Sequence, residues 1–477
     1  MKKILVHNFT RLGDLLQSTP LLMGLKEQDP SCTITVTVHQ WFQEVCQGFP
    51  CVDEVISFDT DGLKEAIVRG GEGLLQGYRY VKSYVELLKE RRFDVVFNLS
   101  HSRPSSMLLA QLGIPQISGS VADRTGALYT MHPWANYFKN MALHRTIPAF
   151  NLVDVYRRMG DVAPGRGRLV YEVPPSAQAS VERFLDGMAD GTRAVREPPL
   201  LIGFQPGASE HSRQWPVSAF AALGKALCTE LGARIIVFGT KKEAPLGEEI
   251  VKACQGGALS VMGETSLAQL AALVQRCRLL VTNDTGTMHL ACAVGTQVVA
   301  LFMGPALFHQ TGPYGAGHIV LQAEIPCAPC NYLVHCTHHV CKEHVRVDAV
   351  LQTVKWAIEG SQGPGTRDQG RQRRRHHPTL GQGWGGISAG SMRMATSITT
   401  PWANDHWIGR RCCGLPTGRP GRSSWMANLL TGPLSRRSAK STPMTFGKRT
   451  WMGLDADRMR LRAASLVCMP WLSKAAH

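Results

Sequence analysis

The chain has 477 residues, with Lys+Arg 52 against Asp+Glu 36, a formal net charge of +16 and 44% hydrophobic residues. Spread over a fold, that charge would point to nucleic acid or an anionic membrane, but residues 361–477 hold 19 basic and 4 acidic residues, or +15, leaving 33 minus 32, or +1, for residues 1–360. The near-neutral body argues against a nucleic-acid binder, and no recognition module accompanies the basic end; no stretch approaches the about 18 apolar residues of a membrane span.

Lys3-Ile4-Leu5-Val6-His7 is a short apolar strand. His7 and Asn8 end that run too early for a secretory signal, so a cytoplasmic protein is expected. Asn8-Phe9-Thr10-Arg11-Leu12-Gly13-Asp14 then forms a loop at the start of a helix running through Leu25. Gly13 permits close backbone approach and Asp14 offers a carboxylate pointing outward or a helix cap. The spacing is not G-x-G-x-x-G, so dinucleotide chemistry is disfavoured. Further strands are expected near Thr33–Thr37, Glu54–Ser57, Val95–Asn98 and Gln116–Gly119, alternating with helices. His101-Ser102-Arg103 follows the fourth of these and is either a cleft-facing loop or a solvated one.

Pro174-Pro175 to Pro198-Pro199 reads as a linker region, with Ala177 to Met188 a helix of its own. Strands follow near Leu201–Phe204, Arg234–Phe238, Ser260–Met262, Leu279–Thr282 and Val298–Phe302. The stretch Val281-Thr282-Asn283-Asp284-Thr285-Gly286-Thr287-Met288-His289-Leu290 reads as a buried strand, a polar turn and a new helix. Unpaired N–H groups at such a helix start bind anions. A carboxylate is ill suited to phosphate, so Asp284 reads either as a cap or as an acceptor for sugar hydroxyls beside a diphosphate. Two α/β domains with parallel sheets are expected: 1–165, a linker region 166–199, and 200–360, with ligands at the carboxyl ends of the strands.

The fourteen Cys are scattered as in a reducing compartment. One cluster, Cys327-x-x-Cys330-x5-Cys336-x4-Cys341 with His335, His338, His339 and His344 interleaved, fits either a structural zinc site, or plain loop thiols or redox chemistry. A catalytic metal is not expected. Residues 361–477 contain no Glu, six of the ten Trp and runs such as Gln372-Arg373-Arg374-Arg375-His376-His377. Lacking any period, this tail is expected to be disordered. It reads either as a membrane-surface tail or as out-of-frame sequence appended near residue 360.

Arg11-Leu12-Gly13-Asp14, Pro206-Gly207-Ala208 with Arg213-Gln214-Trp215-Pro216, and Asn283-Asp284-Thr285-Gly286 with His289 occur in one order across residues 1 to about 358. Together they resemble the lipopolysaccharide heptosyltransferases of glycosyltransferase family 9. The resemblance implies the GT-B fold, two Rossmann-like domains facing a cleft, and inverting transfer of heptose from ADP-heptose to a lipid-linked inner-core oligosaccharide. It implies Asp14 as the base and Ser209, Arg213, Thr285 and Gly286 on the diphosphate. Arg213 stands where the family commonly has Lys. Asp284 would hold the donor sugar, Glu243 the ribose, and Met262 the adenine region. Gly13 and His289 are supports, His289 holding the Asp284 turn or touching donor; Trp215 and Pro216 would fix the loop and helix start. Arg11 and His101 are expected on the acceptor side. No cofactor and no nucleic-acid partner are implied, and peripheral contact with the inner membrane fits a lipid-linked acceptor. Transfer of another sugar, or donor binding without turnover, are the competing readings.

Overall fold

The computed structural model describes residues 1–100, 102–143, 150–163, 167–189, 200–330, 336–359 and 392–396. The chain divides into two units, Met1–Thr400 and Pro401–His477, and all described residues lie in the first.

The first sheet contains β1 (Lys3–Asn8), β2 (Thr33–His39), β3 (Glu54–Phe58), β4 (Val95–Asn98), β5 (Gln116–Ala122) and β6 (Leu128–Thr130), in the order β3-β2-β1-β4-β5-β6. β1 pairs in parallel with both β2 and β4. Its residues Ile4 to Asn8 are all buried, as expected of a central strand covered on both faces. The Leu12–Gln28 helix packs beneath with Leu15, Leu16, Leu21 and Leu22 fully buried. Pro20 lies inside this helix and cannot donate to Leu16 O; the Thr19 hydroxyl donates there instead, at 2.7 Å.

The second sheet contains β7 (Leu201–Gln205), β8 (Arg234–Val237), β9 (Ala258–Ser260), β10 (Leu279–Asn283), β11 (Gln297–Phe302), β12 (Ile319–Ala323) and β13 (Met392–Thr396), in the order β13-β12-β11-β10-β7-β8-β9. Ala177 and Val181 of the Pro175–Ala189 helix join the core of this sheet, so the expected linker helix belongs structurally to the second layer system.

Three elements add to the sequence reading of two parallel-sheet α/β domains. β6 pairs antiparallel with β5, and β13 antiparallel with β12, so the sheets are not purely parallel. β12 follows the strand taken as last, and its five residues are all buried. β13 places one segment of the basic tail on a sheet edge, where main-chain pairing needs no hydrophobic period.

Chain order reverses between β1 and β4 in one sheet and between β10 and β7 in the other. At these switch points neighbouring loops diverge and open a crevice. The loops after β1, β7 and β10 all leave from them.

The two sheets meet through helices. A Cβ on Gly13 would lie 2.7 Å from His289 Cδ2, and one on Gly286 would lie 2.9 Å from Leu12 Cδ2. Only glycine lets the Leu12–Gln28 and Gly286–Val294 helices approach this closely. Asn151 Nδ2 donates to Gly312 O at 3.3 Å, and Tyr314 Oη donates to Asp154 Oδ1 at 2.8 Å, adding polar ties across the same boundary.

Candidate active site

Asn283, the last residue of β10, organises the site. It is fully buried; its Nδ2 donates to Pro206 O at 2.7 Å and its Oδ1 accepts from Trp215 N at 3.0 Å. One amide thus ties both ends of the 206–215 loop to the start of the polar turn. Trp215 is itself buried and donates its Nε1 to Val345 O at 2.8 Å, and Thr287 Oγ1 donates to Gln205 Oε1 at 3.1 Å. Trp215 therefore anchors the loop through the core.

This scaffold brings Arg213 to Asp284, with Nη1 to Oδ2 at 3.2 Å and side chains only 13% and 9% exposed. Two residues assigned to separate parts of the donor are thus partners in the chain itself. The partly shielded pair interacts more strongly than an exposed one. From the other sheet, Arg11 Nη1 reaches Ser209 Oγ at 3.4 Å. Arg11, expected on the acceptor side, carries its guanidinium to the 206–215 loop, because its helix starts against Gly286.

Both helices open at this point: the Cβ position of Gly13 lies 3.7 Å from Gly286 Cα. Each helix start carries unpaired first-turn N–H groups and the positive end of a dipole, and Arg11 and Arg213 reach the adjoining 206–215 loop and polar turn.

Asp14 occupies the third helical position, where its Oδ2 accepts from Arg11 N at 3.4 Å. Of the two expected placements, outward or as a helix cap, its carboxylate takes the capping one, bent back over the helix start. Burial raises its pKa above the usual aspartate value, against the lowering pull of the Arg11 N–H, the Arg11 charge, a Thr10 hydrogen bond and the Arg213 charge. A proton is thus bound more readily there than on a free Asp. The buried Tyr156 side chain lies within reach of this charge, which, after burial itself, raises its own pKa further.

His289 is buried, and desolvation holds its pKa down at about 4, so the ring is neutral. It packs on Gly13. The ring thus lies between the two helix starts, a position the motif could not reveal.

The second cluster lies past β8 and β9. Glu243 Oε2 accepts from Thr240 N at 2.8 Å and from Thr240 Oγ1 at 3.0 Å. A Cβ on Gly207 would lie 1.8 Å from Glu243 Oε1, and one on Gly239 would lie 2.9 Å from Met262 Cε and 3.0 Å from Glu243 Oε2. Gly207, Gly239, Glu243 and Met262 therefore share one wall, beside the 206–215 loop. Gly207 was part of the Pro206-Gly207-Ala208 motif without a role of its own, and Gly239 was not singled out; the signal for both was a Gly two residues past a strand end.

Thr285 caps the Gly286–Val294 helix with extended backbone. His101 lies outside the described residues, as does His335 of the cysteine cluster. Of that cluster, Cys341 is buried, Cys327 is exposed, and Cys336 Sγ accepts from His339 N at 3.3 Å. Among the described residues no group of three or more His, Cys, Asp or Glu side chains is arranged to hold a metal ion. No helix among them is long and apolar enough to cross a membrane.

The chain is 29% identical over 310 residues to lipopolysaccharide heptosyltransferase 2 of Salmonella typhimurium, covering 64% of this chain and 83% of the relative. It is 26% identical over 331 residues to lipopolysaccharide heptosyltransferase 1 of Pseudomonas aeruginosa, covering 69% of this chain and 86% of that one. The fold is similar to that of an E. coli ADP-heptose heptosyltransferase II, with a TM-score of 0.54 at 21% identity over 76% of this chain and 99% of the other. It is also similar to a family 9 glycosyltransferase from Veillonella parvula, with a TM-score of 0.59 at 22% identity over 75% of this chain and 98% of that one. The family profile described as glycosyltransferase family 9 (heptosyltransferase) matches residues 81–339, so this chain belongs to glycosyltransferase family 9.

Proposed function

We propose that the protein transfers a heptose from ADP-heptose, with inversion, to a hydroxyl of the lipopolysaccharide inner core. The observation that supports this reading most is the close approach of two helix N-termini, with Arg11, Arg213 and the desolvated Asp14 nearby, an arrangement suited to a diphosphate. The names of the relatives support the donor and acceptor classes.

In this reaction the acceptor oxygen attacks the anomeric carbon, the carbon–oxygen bond to the diphosphate breaks, and ADP leaves with the bonding pair. The hydroxyl proton passes to Asp14. A carboxylate whose pKa is raised by burial is a stronger base than a free Asp once ionised. Arg213, Ser209, Thr285 and the N–H of Gly286 take the charge growing on the diphosphate. Asp284, released in part from Arg213 as the phosphates arrive, accepts hydrogen bonds from the sugar hydroxyls. Glu243 accepts from the ribose, and Met262 lies against the base. Residues 1–165 would carry the acceptor side and 200–360 the donor side, on the cytoplasmic face of the inner membrane.

A mass-spectrometric transfer assay with a panel of nucleotide sugars and a truncated core acceptor tests the reading. A heptose-sized mass increase with ADP-heptose is expected. Turnover only with a different nucleotide sugar would replace the donor, and ADP-heptose binding without any product would make the chain a binding-only relative.

A further inference from the structure

The Thr60–Arg69 and Glu72–Glu90 helices form a hairpin that the reaction does not use. Its two arms pack through glycine: a Cβ on Gly77 would lie 3.1 Å from Leu63 Cδ1, and one on Gly73 would lie 2.3 Å from Ala66 O. Gly70 and Gly71, at φ 65° and 45°, make the turn, and neither Cβ would meet anything within 4 Å. The tip is therefore open to solvent.

Its height above the sheet follows from Tyr80. The Tyr80 hydroxyl accepts from Asp59 N at 2.7 Å, immediately after the last residue of β3, and its ring lies 5.1 Å from that of Phe58. Tyr80 thus sits level with the carboxyl edge of the first sheet. Residues 72–79 continue beyond it, about 12 Å at 1.5 Å per residue. The same edge carries Arg11 and Asp14.

What the tip exposes is apolar. Val68 is 85% exposed, Tyr78 66%, Leu74 52%, Leu75 48% and Ile67 42%. Leu75, Tyr78 and Lys82 lie at helical spacing on one face. Among residues 67–82 there are three basic side chains, Arg69, Arg79 and Lys82, all exposed, and one acidic, Glu72, for a net of +2. Aliphatic side chains and a Tyr ringed by Arg and Lys are the composition of an element that lies in a lipid–water interface. The basic residues add attraction to anionic headgroups. Five such side chains on one narrow tip are too few to bury the about 800 Å² per partner of a stable protein interface.

We propose that this hairpin tip is a membrane-docking element that inserts Val68, Leu74, Leu75 and Tyr78 into an anionic bilayer surface and sets the carboxyl edge of the first sheet toward the lipid. Its use in presenting a lipid-linked acceptor rests on the transferase reading above; the docking itself does not.

Sedimentation of the full chain with vesicles of phosphatidylcholine and phosphatidylglycerol tests it. At about 0.5 M salt the Debye length is about 4 Å, so binding through the basic tail is suppressed and apolar insertion persists. The Leu74→Glu/Leu75→Glu protein should lose at least about tenfold in partitioning at that salt, since insertion scales with buried apolar area. Its thermal unfolding and its transfer to a soluble acceptor should match wild type, while KM for vesicle-embedded acceptor should rise. Equal salt-resistant binding by variant and wild type, or none by wild type, overturns the proposal. So does a wild-type dimer in lipid-free solution that the double substitution dissociates, which would make the tip a self-association surface. Failure of wild type to turn over a soluble acceptor would count against the transferase reading and leave the vesicle result to decide docking.

Discussion

Arg213→Ala removes a cation 3.2 Å from Asp284, with the pair 13% and 9% exposed. An exposed pair contributes about 0–1 kcal/mol, whereas removing one partner of a buried pair costs about 3–5 kcal/mol. At this burial the substitution should cost about 2–4 kcal/mol in unfolding free energy, much of it from leaving the Asp284 carboxylate without its cation. Arg213→Ala/Asp284→Ala removes both charges and should regain at least about 1 kcal/mol over the single variant, a coupling that a double-mutant cycle reads directly. ADP affinity should behave differently. A hydrogen bond to a charged group contributes about 1.5–3 kcal/mol, so Arg213→Ala should weaken ADP binding by roughly 10–100-fold, without recovery in the double variant. Arg213→Lys should keep much of the affinity, because the charge is retained although the fork is lost. Denaturant titration and calorimetry measure the two quantities separately. Additive stability losses would refute the coupling, and unchanged ADP affinity in Arg213→Ala would assign the diphosphate to other residues.

Asp14→Asn should keep ADP affinity and lower turnover by roughly 10²–10⁴, the usual contribution of a general base. In wild type the acid limb of the pH–rate profile should lie above the ordinary Asp value of about 3.9, because burial raises this group. By the same sign, the folded state is favoured at low pH and loses that contribution as pH rises through the raised value, so Asp14→Asn should not lower thermal stability at neutral pH; a marked loss would mark Asp14 as a structural cap. Gly13→Ala places a Cβ 2.7 Å from the His289 ring, and overpacking at a buried contact should cost about 1–3 kcal/mol in unfolding, relieved by His289→Ala. His289 is neutral in the fold with its pKa held at about 4, so its contribution to stability is present above about 6.5 and lost as pH falls through about 4. His289→Gln should flatten stability across that window, and an unchanged pH slope would refute the assignment.

Local chemistry was legible without a structure. Runs such as Leu279-Leu280-Val281 and Lys3-Ile4-Leu5-Val6 declare buried parallel strands, because both faces of such a strand are covered and the apolar residues need not alternate. The polar turns after them, with Gly13 and Gly286, declare helix starts that favour anions. The short, antiparallel β6 and β13 were not legible: Leu128–Thr130 has three residues, and an edge strand can form by main-chain pairing alone. β12 was overlooked for a different reason, since Ile319–Ala323 is one apolar run among several near the second sheet and nothing local distinguishes strand from buried coil.

Pairings between distant positions belonged to the tertiary structure. Arg213 and Asp284 are 71 residues apart, and Arg11 and Ser209 are 198 apart. They meet because strand order reverses at β1/β4 and β10/β7 and because two glycines let the helices after β1 and β10 come together. The same convergence desolvates Asp14 and neutralises His289, properties that reside in the surroundings of a side chain rather than in its identity. Motifs named the groups that could do chemistry here; the sheet order and the glycine contacts decided which of them share one site.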